Sequence, residues 1–88
     1  MTEKYLRTTS FYPAVFLLSK GLELVGINKT NNPKRVEFVF SDKETAKYLL
    51  EKYNFAKKND NEVLIDARVF VTSIKLLKEK IYQVISNF

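Results

Sequence analysis

Basic side chains are the residues of this chain whose type and spacing could do chemistry. They lie around an Asn-rich turn, in a later connecting segment and along a C-terminal helix: Lys29, Lys34 and Arg35; Lys57 and Lys58; Lys75 and Lys78. Such cations neutralise phosphates, and each neutralised phosphate steepens the salt dependence of binding. Tyr82 falls at i+7 from Lys75, so one predicted helix face combines phosphate contact with ring stacking on an unpaired base. The pattern predicts a nucleic-acid surface that reads backbone and shape.

The overall charge has two explanations. A net charge of +5 and a pI near 9.5 favour a polyanionic or acidic partner. Only Arg7, Arg35 and Arg68 are arginine among the 15 basic residues, however, and arginine is the residue favoured for bidentate phosphate and guanine contacts. Lysine-rich, Asn-rich usage also follows from genomic bias, and polar turns are usually only solvated. Polyanion binding and mere solubility therefore both remain open.

The chain contains no His, no Cys and no Trp. These absences remove the usual general base near neutral pH, the thiolate nucleophile and the commonest zinc ligands. A lone hydroxyl such as that of Ser10 or Tyr12 has no such base to activate it. The sequence therefore predicts a protein that is not an enzyme and that takes no cofactor.

An acidic segment invites comparison with a calcium loop. Asn59–Glu62 and Asp66 place side-chain oxygens at alternate positions, as calcium loops do. The segment lacks the central glycine of such loops, and no glutamate stands at the distance required for bidentate binding. No metal site is predicted.

The apolar run Phe11–Leu18 is too short and too interrupted to serve as a membrane segment. Pro13 lies early in the run, Lys20 follows it, and no small-residue cleavage site comes after it. A transmembrane helix needs roughly 18 or more apolar residues. The absence of Cys suits a reducing compartment. The sequence therefore predicts no membrane partner and a cytoplasmic location, the host cytoplasm if the protein is viral.

Local signals predict an α+β domain over residues 10–88, preceded by an arm over residues 1–9 that is either mobile or an edge strand. The predicted elements are a helix over Phe11–Lys20 ended by Gly21, strands over Leu22–Asn28 and Arg35–Ser41, a helix from the capping box of Ser41 and Glu44 to about Asn54, a short strand at Val63–Ile65, and a helix from the Asp66 cap to about Ser86. The order α-β-β-α-(β)-α indicates a small antiparallel sheet covered on one face by the first and last helices, with a long C-terminal helix.

The C-terminal helix carries an apolar heptad seam. Its members recur at spacings of 3 and 4, with one flanking addition: Phe70, Ile74, Leu77, Ile81, Val84, Ile85 and Phe88. Two interpretations stay open. The seam packs on the sheet and the first helix of its own chain, or the half over Ile81–Phe88 protrudes and pairs with a second copy.

Three stretches resemble a known family: FYPAVFLLSKGLELVGI, RVEFVFSD and DARVFVTSIKLLKEKI. Their shared features are core and capping residues and a basic helix: Gly21, Phe38, Phe40, Asp66, Ala67, Phe70 and Lys78. The similarity covers roughly residues 11–82. It is to small phage and bacterial proteins catalogued only as a domain of unknown function. The resemblance implies the fold and a phage or mobile-element origin, and it carries no activity.

These observations predict a small non-enzymatic binding module. Its first expected function is nucleic-acid binding, to DNA or RNA, through the Lys-rich surface. The alternative is a protein-interaction module, a homodimer or a protein that occupies a host factor, which would use the heptad seam. Lys-rich surfaces serve both purposes, so the sequence leaves the choice open.

Overall fold

Three strands and three helices make up residues 4–86, the part of the chain that the computed structural model describes. They are β1 (Leu6–Thr8), α1 (Phe11–Ser19), β2 (Leu24–Lys29), β3 (Val36–Phe40), α2 (Lys43–Phe55) and α3 (Ala67–Ser86). The predicted α+β class with a small antiparallel sheet is confirmed.

The central strand β3 organises the sheet. It pairs antiparallel with β1 on one side and with β2 on the other. Because side chains alternate along a strand, Val36, Phe38 and Phe40 point to one face, where all three are buried. Leu6 and Leu24 both pair with Phe40, so this apolar face continues across the three strands. The predicted hairpin of β2 and β3 is confirmed, with strand ends shifted by one or two residues.

The opposite face of the sheet carries a polar set on neighbouring strands. Arg7 Nη1 donates to Glu37 Oε1 at 3.1 Å, and Asn28 Nδ2 donates to the same oxygen at 3.3 Å. Register places Arg7 against Val39 and Asn28 against Glu37, so these side chains share this face. The Glu37 carboxylate therefore offsets a cation on this side of the sheet.

The three helices form one layer on the apolar face of the sheet. α1 contacts both other helices, α2 contacts β1 and α3 contacts β2, so α1 lies in the middle. Ala14, Val15, Phe16 and Leu17 are all buried, as expected of a helix that is apolar on every side. The Phe16 ring lies 5.0 Å from the Tyr53 ring of α2. α1 and α3 thus cover the sheet as predicted, and α2 covers it as well.

Gly21 ends α1 as predicted. Its φ of +92° is a left-handed conformation that favours glycine. The Gly21 N–H donates to Leu18 O at 3.0 Å, and the Leu22 N–H donates to Leu17 O at 3.2 Å. This pair of bonds is a Schellman motif, which satisfies carbonyls at the helix end and turns the chain toward β2.

The third strand of the sheet is not the predicted one. Residues 6–8 form β1, which agrees with the edge-strand alternative for the N-terminal arm. The predicted strand at Val63–Ile65 is wrong, since this segment forms turns and irregular backbone. The Val63 N–H donates to Asp60 O at 3.0 Å, and the Glu62 N–H donates to Asp60 Oδ1 at 2.8 Å. The local turn therefore takes hydrogen bonds that a strand would have used.

The capping box of Ser41 and Glu44 is also wrong. The cap of α2 is Asp42, at φ +59°, whose carboxylate accepts from the Thr45 N–H at 3.3 Å and from the Thr45 hydroxyl at 2.8 Å. The Ser41 N–H instead donates to Glu23 O at 3.0 Å. Ser41 is thus hydrogen-bonded to the residue that precedes β2. Asp42 itself adopts the left-handed conformation, which Asp tolerates better than most residues, and caps the helix.

Asp66 caps α3, as predicted. Its Oδ1 accepts from the Arg68 N–H at 2.8 Å, and its carbonyl accepts from the Phe70 N–H at 3.0 Å. Arg68 Nη2 lies 3.1 Å from Asp66 Oδ2, and this contact is the first cause that holds the pKa of the Asp66 carboxyl below its ordinary value. The charged carboxylate is therefore the form that stabilises the helix start.

Candidate nucleic-acid interface

The β2–β3 connection, the start of α1 and the end of α3 enclose a groove. Two adjoining depressions, of about 390 Å³ and about 650 Å³, form it. Its apolar walls include Phe38, Ile81 and Ile85, and its rim carries Lys34 and Arg35. We call this region the loop groove. Among residues 4–86, those that line it include no Asp and no Glu.

The β2–β3 connection is held by its own polar groups. The Thr30 hydroxyl lies 3.0 Å from the carbonyl oxygens of both Asn32 and Arg35, and it accepts from the Asn32 N–H at 3.1 Å. Asn32 Oδ1 accepts from the Lys34 N–H at 2.9 Å, and Asn32 O accepts from the Arg35 N–H at 3.0 Å. This network fixes the loop backbone and leaves the cationic side chains of Lys34 and Arg35 exposed.

Two cations of the loop groove, Lys34 and Arg35, have no carboxylate close by in the described part of the chain. Within residues 4–86, no carboxylate oxygen lies within 4.0 Å of the Lys34 ammonium or the Arg35 guanidinium. Lys29 also lines the groove, and partial desolvation there lowers the pKa of its ammonium. A phosphate beside Lys29 would raise that pKa, because it favours the charged form.

A stripe on α3 leads to the loop groove. Lys75, Lys78, Tyr82 and Ile85 follow one another at spacings of 3, 4 and 3, which places them along one helix face. All four side chains are exposed, and Tyr82 is 75% exposed. In the part of the chain that the structure describes, neither lysine has an ion-pair partner. We call these four residues the α3 stripe, and Ile85 belongs to both the stripe and the groove.

Lys57 and Lys58 lie at the other end of the molecule. They belong to residues 56–66, which join α2 to α3 and which we call the clamp loop. Lys20, the cap residue at the far end of α1, donates to Leu64 O of this loop at 3.2 Å, whereas the start of α1 borders the loop groove. Five of the seven predicted phosphate-binding residues thus lie in the groove or the stripe, and two lie apart from them.

Acidic side chains accompany the lysines of the clamp loop. Lys52 of α2 lies 3.6 Å from Asp60 Oδ2 and 4.0 Å from Glu62 Oε1. These two carboxylates raise the pKa of the Lys52 ammonium, Asp60 most strongly. Lys57 and Lys58 themselves have no ion-pair partner among the described residues, but they stand within five positions of Asp60 and Glu62, whose negative charges offset part of the local positive charge.

The heptad seam serves mainly the core of its own chain. Phe70, Ile74 and Ile81 pack against the buried core, and Leu77 is part of it. The other members differ: Val84 is half-buried, Ile85 is 48% exposed, and Phe88 lies outside the described residues. The intrachain interpretation accounts for the first four members, and a pairing surface has only the last turns of α3 to use.

Sequence reasoning missed the contribution of Ile85 and of Thr9 and Ser10 to the loop groove. The turn-forming residues of the β2–β3 connection signalled a structured loop. Nothing in the local pattern signalled that the end of α3 lies beside that loop, because this depends on the direction in which α3 crosses the sheet.

The described residues contain neither a cluster of metal-ligating side chains nor a membrane-spanning helix. No group of three or more Asp and Glu residues in them is placed to hold a metal ion. None of the helices between residues 4 and 86 is long and apolar enough to cross a membrane.

One comparison with known proteins identifies the family. The family model described as a domain of unknown function, DUF5659, matches residues 3–83. The chain therefore belongs to that family, in agreement with the resemblance found in the sequence. No curated protein and no solved structure matches the chain.

Proposed function

We propose that this protein is a non-enzymatic nucleic-acid-binding module that uses the loop groove and the α3 stripe. The observation that carries the proposal is a set of cations without carboxylate partners, Lys34, Arg35, Lys75 and Lys78, on two elements that meet at Ile85. Cations that serve only the fold are usually paired on the surface or solvated singly. A group of them beside an acid-free groove favours a polyanion.

The chemistry of the groove also fits a nucleic acid better than a simple anion. Its rim supplies ammonium and guanidinium groups for phosphates, and its walls supply apolar area from the exposed Ile85 and the half-buried Ile81. Sugars and base faces have such apolar area, whereas inorganic anions do not. No acidic side chain among the described lining residues offsets the charges of Lys34 and Arg35, which favours an anionic ligand.

A fluorescence-anisotropy titration tests the proposal. Labelled single-stranded DNA, duplex DNA and RNA would be titrated at about 50 and 200 mM salt, since phosphate binding weakens steeply over this range. Lysozyme, a basic protein, serves as the charge-matched control. We expect binding clearly tighter than the control with a steep salt slope. Weak binding equal to the control would mean that the lysines only solubilise the protein.

Two double variants with the same charge change locate the surface. Lys34→Glu with Arg35→Glu alters the loop groove, and Lys57→Glu with Lys58→Glu alters the clamp loop. We expect the groove variant to lose about tenfold or more in affinity and about 1.4 in salt slope for a single strand, about 0.7 for each lost phosphate contact. The clamp-loop variant should lose less than about threefold, through net charge alone. Equal losses in the two variants would contradict the assignment to the groove.

A second candidate function, protein interaction, rests on exposed apolar residues of α3. Val69, Val71 and Leu76 are each 40% exposed or more, whereas a helix that packed only within its own chain would bury most of its large apolar side chains. Under this alternative the partner is a second copy or a host factor, as would suit a phage or mobile-element protein in a host cytoplasm. Light scattering at high micromolar concentration tests the homodimer: a monomer would remove it, and a dimer that excludes nucleic acid would favour it.

A further inference from the structure

We infer that the α3 stripe selects single-stranded over duplex nucleic acid by stacking a base on the exposed ring of Tyr82. This inference rests on the proposed function and names its ligand class. The side chain of Tyr82 is 75% exposed, so most of its ring area contributes nothing to the core. Among described residues it makes no ring–ring contact. An open ring of this kind is available to a flat partner.

The spacing of the stripe suits a strand that runs along α3. At about 1.5 Å of rise per residue, Lys78 lies about 6 Å before Tyr82 along the helix axis, and Ile85 lies about 4.5 Å after it. A ring flanked by a cation on one side and an apolar contact on the other matches a base with its own phosphate and a neighbouring sugar or base. The whole stripe, from Lys75 to Ile85, spans about 15 Å, or about four nucleotides at about 3.4 Å each.

The same residues are poorly suited to reading a duplex. Base edges in the major groove are read by Arg or Lys at guanine and by Asn or Gln at adenine, and the α3 stripe offers only two lysines, which act as point charges and lack the planar fork of arginine. Stacking needs a base that is not already stacked between neighbours in a duplex. The stripe therefore adds affinity only for an unpaired strand, whereas the cations alone would bind both forms.

The first test compares four probes and two leucine variants. An oligo(dT) of about eight nucleotides, about twice the stripe length, is titrated beside a hairpin whose stem keeps a duplex of the same length closed, an abasic strand of the same length, and RNA. Tyr82→Leu removes the ring and keeps apolar bulk. Phe55→Leu is the matched control, because Phe55 is an 82% exposed ring at the end of α2, next to the clamp loop. We expect Tyr82→Leu to lose about tenfold for oligo(dT) and little for the abasic strand. Phe55→Leu should match the unaltered protein with every probe.

A spectroscopic test reports the stacking directly. The chain has no tryptophan, so Tyr82→Trp and Phe55→Trp each introduce a single tryptophan, whose fluorescence can be excited separately from that of the tyrosines. We expect oligo(dT) to quench the emission of the Tyr82→Trp variant, and the abasic strand to leave it nearly unchanged. The Phe55→Trp variant should respond to neither probe.

The outcomes separate this inference from the proposed function. Oligo(dT) and duplex binding of equal strength, sensitive to Lys34→Glu with Arg35→Glu but not to Tyr82→Leu, would overturn the stacking and leave the nucleic-acid function intact. Binding no tighter than the basic control protein would overturn both. A selective loss in Tyr82→Leu that Tyr82→Phe restores would support the inference, because phenylalanine keeps the stacking ring.

Discussion

The two ends of α1 carry similar residues and use them in opposite ways. At the clamp loop, Lys52 lies beside Asp60 and Glu62, and Lys20 donates to the backbone of Leu64. At the loop groove, Lys34 and Arg35 lie on a loop that is also rich in polar side chains, yet within residues 4–86 no carboxylate approaches either cation within 4.0 Å.

This difference shows why a count of lysines does not locate a binding surface. A lysine that pairs with acids or with a carbonyl helps to hold its loop, and its charge is offset locally. A lysine without such partners leaves its charge to act on whatever approaches. Net charge of +5 is a property of the whole chain. Among the described residues its local balance differs between the ends of α1, because the clamp loop holds Asp60 and Glu62 among its lysines whereas no acidic side chain lines the loop groove.

The largest expected effect compares one isoleucine from each end. Ile65 of the clamp loop packs against the core, whereas Ile85 at the loop groove is 48% exposed. Ile65→Ala should cost about 1–3 kcal/mol of unfolding free energy, since apolar contact is lost and a cavity forms. Ile85→Ala should cost less than about 1 kcal/mol. Urea unfolding measures both. A larger loss in Ile85→Ala would mean that the groove wall is part of the core.

The helix starts at the two ends offer the second comparison. Asp66 accepts a backbone hydrogen bond at the start of α3, whereas the side chain of Ser10, at the start of α1, makes no capping bond. Asp66→Ala should destabilise by about 1 kcal/mol. Ser10→Ala should stay within about 0.5 kcal/mol of the unaltered protein. Thermal unfolding of the two variants is the measurement, and equal losses would contradict the difference between these ends.

The loss of folding stability at low pH sharpens the same comparison. The pKa of Asp66 is lowered in the folded state, first by the Arg68 side chain and then by the Arg68 N–H. The unfolded chain therefore binds this proton more readily, so the contribution of Asp66 is present above its unfolded pKa and is lost as the pH falls through its folded pKa. Asp66→Asn keeps a capping oxygen without the charge. As the pH is lowered below about 5, we expect the urea midpoint of Asp66→Asn to fall less than that of the unaltered protein. If the two midpoints fell in parallel with pH, the ion pair of Asp66 and Arg68 would not contribute to stability.

The smallest effect concerns the paired lysine. Lys52→Met should cost less than about 1 kcal/mol, as exposed ion pairs do, and Lys34→Met should cost nothing measurable. The pKa of Lys52 is raised by Asp60 and Glu62, so its contribution is present at neutral pH and is lost as the pH rises through the folded value. Urea unfolding at neutral and at alkaline pH checks both statements. A stability difference that persists in strong alkali would have to come from packing of the lysine stem.

Short-range patterns predicted the elements whose signals are local. The apolar run of α1, the glycine at its end and the Asp66 cap each depend on residues within one helical turn, and each prediction is confirmed. Where two neighbours compete for one task, the pattern was misleading: Ser41 and Asp42 both suit a helix cap, and the bond from Ser41 to Glu23 decided in favour of Asp42.

The choice left open at residues 6–8 and the error at Val63–Ile65 have a common origin. Both segments are short and weakly patterned, so their conformation depends on whether an unpaired strand edge is available. β3 offers that edge to residues 6–8, whereas Val63 contributes its N–H to a local turn and its side chain to the core. Pairing with a distant partner cannot be derived from a few residues alone.

By itself, the sequence determined the α+β class, the helix that is buried on several sides, and a set of basic residues in a chain without His or Cys. These features follow from composition, periodicity and capping, which act over short distances along the chain. Only the tertiary structure decided which cations act together. The path of α3 across the sheet brings Ile85 beside Arg35, and the fold of the clamp loop places Asp60 and Glu62 against Lys52 of α2. Charges combine or cancel according to their separation in space, and the fold sets that separation.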